Sequence, residues 1–217
     1  MEDHLTTICW YCDVSILANP ALFSRGMAIL PWDARREKVL RYHFEKDQRL
    51  CLGAGLLAAY ALRRSGADDL GIHYLENGKP ALRAHPGIHF NISHSDALAV
   101  CAVSDHTVGV DVERWQRAES RVAEMCFTPD ELKWMKAQRR TDQAFIRLWV
   151  RKESYLKMMG TGLLQDPSSF SVLPETSLEI PASFSEWDVH DHSICVCSPL
   201  SESVSLLRAD IADLLGF

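Results

Sequence analysis

Residues 108–113 read V-G-V-D-V-E, a strict alternation that fixes a strand and assigns a face to every side chain in it. Val108, Val110 and Val112 share one face; Gly109, Asp111 and Glu113 share the other. Two carboxylates side by side repel each other unless a proton or a cation intervenes, so the pattern suits a hard divalent ion, with Gly109 leaving room for a ligand. A solvated strand face is the competing reading.

A second segment, L-W-V-R-K-E-S-Y-L-K-M-M at 148–159, carries groups of the same kind. Glu153 and Lys157 stand four residues apart and share a helix face, with Trp149 one turn earlier. A surface ion pair and a core tryptophan explain that spacing equally well. A third carboxylate and an ammonium are nonetheless what magnesium-assisted phosphoryl or pyrophosphate chemistry requires. N-I-S-H-S at 91–95 reads as a polar loop that adds a hydroxyl and an imidazole. With a turn at 104–107, the apolar run after it forms a hairpin with 107–113; Glu113 then pairs near Leu98 and the His94 loop lies at the same end.

The rest of the chain supplies the frame. Residues 33–65 are basic and then helical, stopping at Gly66, with Gly53 and Gly55 marking close packing against another element. E-N-G-K-P-A-L-R-A-H-P-G reads as a loop or hairpin edge. Thr128-Pro129-Asp130-Glu131 is a capping box that opens a helix. Thr141 is the expected cap of a longer one, stopped by Gly160. Beyond Pro167 the short pieces SSFSVL, SFSEWDVH, SICVCS and SVSLLRA are β-rich. The order predicts an α+β chain in two halves of similar content.

Composition narrows the function classes. With 47% hydrophobic and 24% charged residues in 217, and no apolar run of the roughly 18 residues that span a membrane, a soluble globular protein is expected. The start MEDHLTTICW lacks the pattern of an export signal, so a cytoplasmic location is expected. A net charge of -6 argues against a general nucleic-acid binder. Seven cysteines are then expected to be reduced, and the C-x-x-C of Cys9 and Cys12 lacks a matching second pair for zinc, since Cys195 and Cys197 alternate as inward-facing strand residues.

Together GKP at 78–80, FNISHS at 90–95, GVDVE at 109–113, FTPDE at 127–131 and WVRKESYLKMMGTGL at 149–163 resemble the 4'-phosphopantetheinyl transferases of the Sfp-like group. That resemblance implies an α+β pseudo-dimer of two similar α/β lobes, 1–104 and 105–217, with coenzyme A in the cleft between them, and a monomer is expected. It implies that Asp111, Glu113 and Glu153 hold Mg²⁺ and that Lys157 meets the pyrophosphate. Lys79, Ser93 and His94 match groups at the adenosine bisphosphate end, and Lys38, Arg41 and Lys46 are candidates for phosphate contacts on the amino-terminal helix. Members often carry an arginine where this chain has Ala58 and Ala59, so either another base replaces it or nucleotide affinity is lower.

The implied reaction moves phosphopantetheine from coenzyme A onto a serine of an apo carrier protein. Glu153, or a water activated beside the metal, takes the serine proton; the sequence does not choose between them. The carrier is expected to dock near Met125 and Phe127, both of which could equally be core. A magnesium-dependent nucleotide pyrophosphatase and a non-catalytic coenzyme A or carrier-protein binding module are the alternatives.

Overall fold

The structure, a computed structural model, describes residues 7–115, 119–174, 178, 181–199 and 203–216. The acidic start 1–6, on which the expectation about export partly rests, lies outside them. In chain order the elements are β1 (Ile8–Asp13), α1 (Pro20–Ile29), α2 (Asp33–Arg41), α3 (Glu45–Arg64), β2 (Ile72–Tyr74), β3 (Pro80–Leu82), β4 (His89–Ser95), β5 (Leu98–Ser104) and β6 (Gly109–Arg114). There follow α4 (Ser120–Cys126), α5 (Pro129–Lys136), α6 (Thr141–Met159), β7 (Ser183–Val189), β8 (His192–Ser198), β9 (Ser205–Arg208) and α7 (Ile211–Leu215). Among the described residues no helix is long and apolar enough to cross a membrane.

Two sheets each carry one long helix. The first runs β4-β5-β1-β9 and the second β6-β8-β7, with β2 and β3 forming a separate small hairpin. Their inner faces meet: Cys9, Leu98, Val100 and Ala102 of the first sheet share one apolar core with Val110, Val112, Ile194 and Val196 of the second. On the outer face of the first sheet, Leu52, Leu57 and Leu62 of α3 pack over Trp10, Cys101 and Val103. On the outer face of the second, Phe145, Ile146 and Leu148 of α6 pack with Cys195. The layers are therefore helix, sheet, sheet, helix, which is the expected α+β pair of similar halves. Strands β5 and β8, each paired on both edges, are buried on both faces throughout.

Four sequence expectations change. The single helical stretch is two helices, because Tyr42 and Phe44 are extended; Gln48 Nε2 donates to Tyr42 O at 2.9 Å across the break. N-I-S-H-S is strand β4, which forms the hairpin with β5 through a two-residue turn in which Asp96 takes a left-handed φ of 53°. The 98–113 hairpin does not form: β5 is already paired on both edges, to β4 and β1, so β6 pairs β8 and Glu113 stands opposite Ser193. S-S-F-S-V-L is not a strand either, since its backbone is taken up by side chains of α5 and α6.

Those side chains are a buried ion pair. Lys152 Nζ lies 2.9 Å from Glu131 Oε2, with both side chains sealed from solvent. The lysine also donates to Pro167 O and Phe170 O, at 2.7 and 2.6 Å, and Glu131 Oε1 accepts from Val172 N at 2.8 Å. The capping box is present too, with Glu131 Oε2 accepting from Thr128 N at 2.8 Å. Glu131 thus starts α5 and anchors α6 at once. The chain's last described segment returns to the first sheet: β9 runs parallel to β1, and Arg25 Nη2 donates to Leu215 O at 2.9 Å below α7.

The C-x-x-C cysteines divide between two cores, Cys9 between the sheets and Cys12 beneath α3, because residues three apart on a strand face opposite ways. Gly53 and Gly55 are at close contacts as expected, against Val14 and against Arg35 and Leu30. Gly109 is not room for a ligand. A Cβ there would overlap Ser154 O and Met158 N, so the glycine admits the backbone of α6.

Lys152→Met should lower stability by about 3–5 kcal/mol by stranding the Glu131 carboxylate. Urea denaturation measures this, and the Glu131→Gln, Lys152→Met double variant should recover part of the loss. A wild-type midpoint for Lys152→Met would contradict the pair's anchoring role.

Candidate active site at the joint of the two sheets

Strands β4 and β6 lie side by side without a backbone ladder, and three side chains of β4 bridge them. Asn91 Oδ1 accepts from Val110 N at 2.9 Å. Ser93 Oγ donates to Asp111 Oδ1 at 2.7 Å, and Ser95 Oγ donates to Glu113 Oε2 at 2.7 Å. Residues two apart on one strand face meet the acids two apart on the other. Both carboxylates are thereby held by hydroxyls from the other half of the chain.

Helix α6 completes the group. Because Gly109 lets the helix backbone settle on β6, Lys157 Nζ reaches Asp111 Oδ1 at 2.6 Å and Ser93 Oγ at 2.9 Å. Glu153, one turn earlier, is half-buried on the same side, whereas Trp149 stacks on Phe145 at 6.4 Å and belongs to the core. Asp111 is only 3% exposed, which rules out the solvated strand face for it. Its Oδ1 is taken, while its Oδ2 is buried without a hydrogen-bond partner among the described residues.

The electrostatics agree with crowded acids. Burial pushes the Glu113 carboxyl above its ordinary range, against the Ser95 hydrogen bond, and the Asp111 and Glu153 charges push it further. Burial likewise raises Glu153, with Asp111 adding to it and Lys157 opposing. Partly desolvated carboxylates that repel one another favour a bound cation or a proton. Three hard oxygen donors, one with an orphaned oxygen, fit a magnesium ion. Among the described residues, no three acid, histidine or cysteine side chains are gathered closely enough to grip an ion as they stand, and the Lys157 ammonium sits on Asp111.

His94 points to the other face of β4, toward α2. Burial lowers its pKa, and the positive charges of Arg35, Lys157 and Lys38 lower it further. Beside it a cavity of about 310 Å³ is lined by Trp32, Arg35 and Lys38 of the α2 segment, Ala58 of α3, Tyr74 and Asn91 among others. Arg41 and Lys46 are exposed and are not part of its wall. Arg35, which the sequence did not single out, crosses over Gly55 to donate from Nε to Cys51 O at 3.2 Å. Gly55, flagged for close packing, was its only signal.

Lys79, which the resemblance matches to the adenosine bisphosphate end, has its ammonium on backbone carbonyls. Its Nζ donates to Val108 O at 2.8 Å and Lys157 O at 3.0 Å, tying the β2–β3 hairpin to β6 and to the end of α6. Burial brings its pKa down to about 8. Met125 is 73% exposed, whereas Phe127 is buried against Phe145, their rings 5.4 Å apart.

This arrangement, an acid and lysine group at the seam of two α+β halves beside a basic cavity, agrees with comparisons to known proteins. Residues 107–198 match the model of the 4'-phosphopantetheinyl transferase superfamily, and residues 19–106 match that of the 4'-phosphopantetheinyl transferase, N-terminal family. A 4'-phosphopantetheinyl transferase of Bacillus subtilis is 37% identical over 156 residues, 68% of this chain and 70% of the relative. The transferase gsp of Aneurinibacillus migulanus is 33% identical over 186 residues, covering 80% and 78%. Sfp of Bacillus subtilis strain 168 is 34% identical over 160 residues, covering 70% and 71%. The chain belongs to the 4'-phosphopantetheinyl transferase family.

The depressed pKa of Lys79 predicts a pH signature. Between about 8 and the unfolded lysine value of 10.5 the unfolded chain keeps a proton that the folded chain has lost. Stability contributed by this group therefore rises with pH across that window and is lost as pH falls through 8. Buried cysteines such as Cys101, with a raised pKa, act in the opposite direction, so the comparison must be with Lys79→Met. The stability of wild type relative to that variant should increase from pH 8 to 10 in chemical denaturation; a flat difference would show that Lys79 is solvated.

Proposed function

We propose that this chain transfers the 4'-phosphopantetheine group of coenzyme A to a serine of an apo carrier protein, with Mg²⁺ bound by Asp111, Glu113 and Glu153. The observation that carries the reading is the knot of Ser93, Asp111 and Lys157, with its orphaned carboxylate oxygen, at the seam of the two halves. A magnesium ion there would neutralise the charge of the coenzyme A pyrophosphate.

The residues divide the remaining work. Lys38 and His94, with Arg35 beside them, bind the adenosine bisphosphate end, and Arg35 stands in for the arginine missing at Ala58 in the cavity wall. The other basic candidates, Arg41 and Lys46, are exposed and assist phosphate capture from outside. Lys157 and Ser93 donate to the pyrophosphate, offsetting the charge that grows on the leaving group. Glu153, or a water held beside it, takes the proton of the carrier serine. The serine oxygen forms a bond to the β-phosphorus as the bond from that phosphorus to the bridging oxygen breaks. Adenosine 3',5'-bisphosphate leaves with the bridging oxygen and its electron pair.

Lys79 acts from behind this group, through its bonds to the Val108 and Lys157 carbonyls. The exposed Met125 is the apolar contact for the carrier and the buried Phe127 its support. The protein works in the cytoplasm as a monomer, its halves meeting near residues 104 and 105, with β9 and α7 returning to the first half.

Incubation with coenzyme A, Mg²⁺ and an apo carrier protein, followed by mass spectrometry of the carrier, tests the reading. One phosphopantetheine added per carrier supports it. Hydrolysis of coenzyme A with an unchanged carrier would instead indicate a pyrophosphatase, and no reaction a binding module. Asp111→Ala should abolish transfer, since it removes both the free oxygen and the anchor of Lys157; near-normal turnover at ordinary magnesium would contradict the metal assignment. Met125→Asp should raise the carrier KM at least several-fold while coenzyme A binding, followed by calorimetry, stays unchanged.

A further inference from the structure

We propose that Ser95 is a positioning residue that fixes Glu113 for metal binding, an inference that rests on the reading of Glu113 as a ligand. Ser95 ends β4, and its hydroxyl has one proton to give. That proton goes to Glu113 Oε2 at 2.7 Å. The oxygen in turn accepts from Arg114 N at 3.2 Å, so the hydroxyl is held by the backbone of the same strand whose carboxylate it orients.

The position is clamped from other sides as well. Ser95 O lies 3.2 Å from His192 Nε2 on β8, opposite Arg114 in the ladder. Arg114 bonds Asp191 Oδ2 through Nε at 2.6 Å and reaches Asp96 Oδ2, the residue after Ser95, at 3.4 Å. Ser95 is thus held from β6 at its hydroxyl and from β8 at its carbonyl, without help from the Glu113 side chain. A glutamate side chain gives up rotamer freedom when it binds an ion, and a fixed donor on one oxygen removes much of that freedom beforehand. Oε1 is left for the ion. Outer partners that orient ligating carboxylates have this effect generally.

Ser93 differs in kind. It touches Asp111 and Lys157 directly and sits among the groups that meet the substrate, whereas among the described residues the only side chain that the Ser95 hydroxyl bonds is Glu113. Its contribution therefore passes through that carboxylate alone, and a double-mutant cycle isolates it.

The test is Mn²⁺ affinity of the full chain, titrated by calorimetry with no coenzyme A present, for wild type, Ser95→Ala, Ser95→Thr, Glu113→Gln and the Ser95→Ala, Glu113→Gln double variant, with melting temperatures alongside. Ser95→Ala should weaken Mn²⁺ binding about tenfold to a hundredfold, Ser95→Thr should restore most of it, and the double variant should be no weaker than Glu113→Gln. Wild-type affinity in Ser95→Ala beside a weakened Glu113→Gln overturns the role of Ser95, as does an effect of Ser95→Ala that persists in the Glu113→Gln background. Unchanged affinity in Glu113→Gln overturns the ligand reading itself. Should Ser95→Ala melt early, the Ser95→Thr variant and the cycle still decide, because a fold defect would add to the Glu113→Gln loss.

Discussion

The contact on which the site depends is the three-way bond between Ser93, Asp111 and Lys157. Each residue comes from a different element: β4 of the first sheet, β6 of the second, and α6. A nearly buried carboxylate tolerates its loss of water only when paired and hydrogen-bonded, so this contact decides how closely the two sheets and the helix must approach. Gly109 makes the approach possible, since any side chain there would strike the backbone of α6. The apolar core between the sheets supplies the attraction, and the serine, aspartate and lysine set its register.

That register explains why acids cluster at the seam. The valines of β6 bury themselves against the first sheet, so period two sends Asp111 and Glu113 to the face that looks at α6 and the edge of β4. Glu153 faces them from the helix, and burial with repulsion from Asp111 raises the pKa of both glutamates. The group is electrostatically unsatisfied by design of the fold, with one lysine against three carboxylates. On the opposite face of β4, His94 lies near Arg35 and Lys38, which line the cavity. A single strand thereby presents hydroxyls on one face and an imidazole on the other.

Much of this was legible in the sequence because it depends on local period. The faces of β6, the Glu153–Lys157 stripe, the capping box at Thr128 and the stop at Gly160 follow from residue spacing. What failed depends on partners far away in the chain. The 98–113 hairpin was the natural local pairing, but β1, almost ninety residues earlier, takes the free edge of β5. Glu131 reads as a cap in sequence, and only the fold reveals Lys152 against it. Arg35, Asn91 and Ser95 are ordinary polar residues until α3 and β6 are set beside them. Lys79 was legible as a lysine in a turn, not as one whose acceptors are carbonyls just before β6 and on α6.

The claim that the seam itself builds the coenzyme A site is tested most directly by the coupling between Ser93 and Lys157, one from each half of the chain. Calorimetric coenzyme A affinities in the presence of Mg²⁺ for wild type, Ser93→Ala, Lys157→Met and the double variant close a thermodynamic cycle. If the two side chains act as one group around Asp111, their effects are non-additive, with an interaction energy in the range of about 0.5–3 kcal/mol. Additive losses would contradict the account, because each half would then bind coenzyme A without reference to the other.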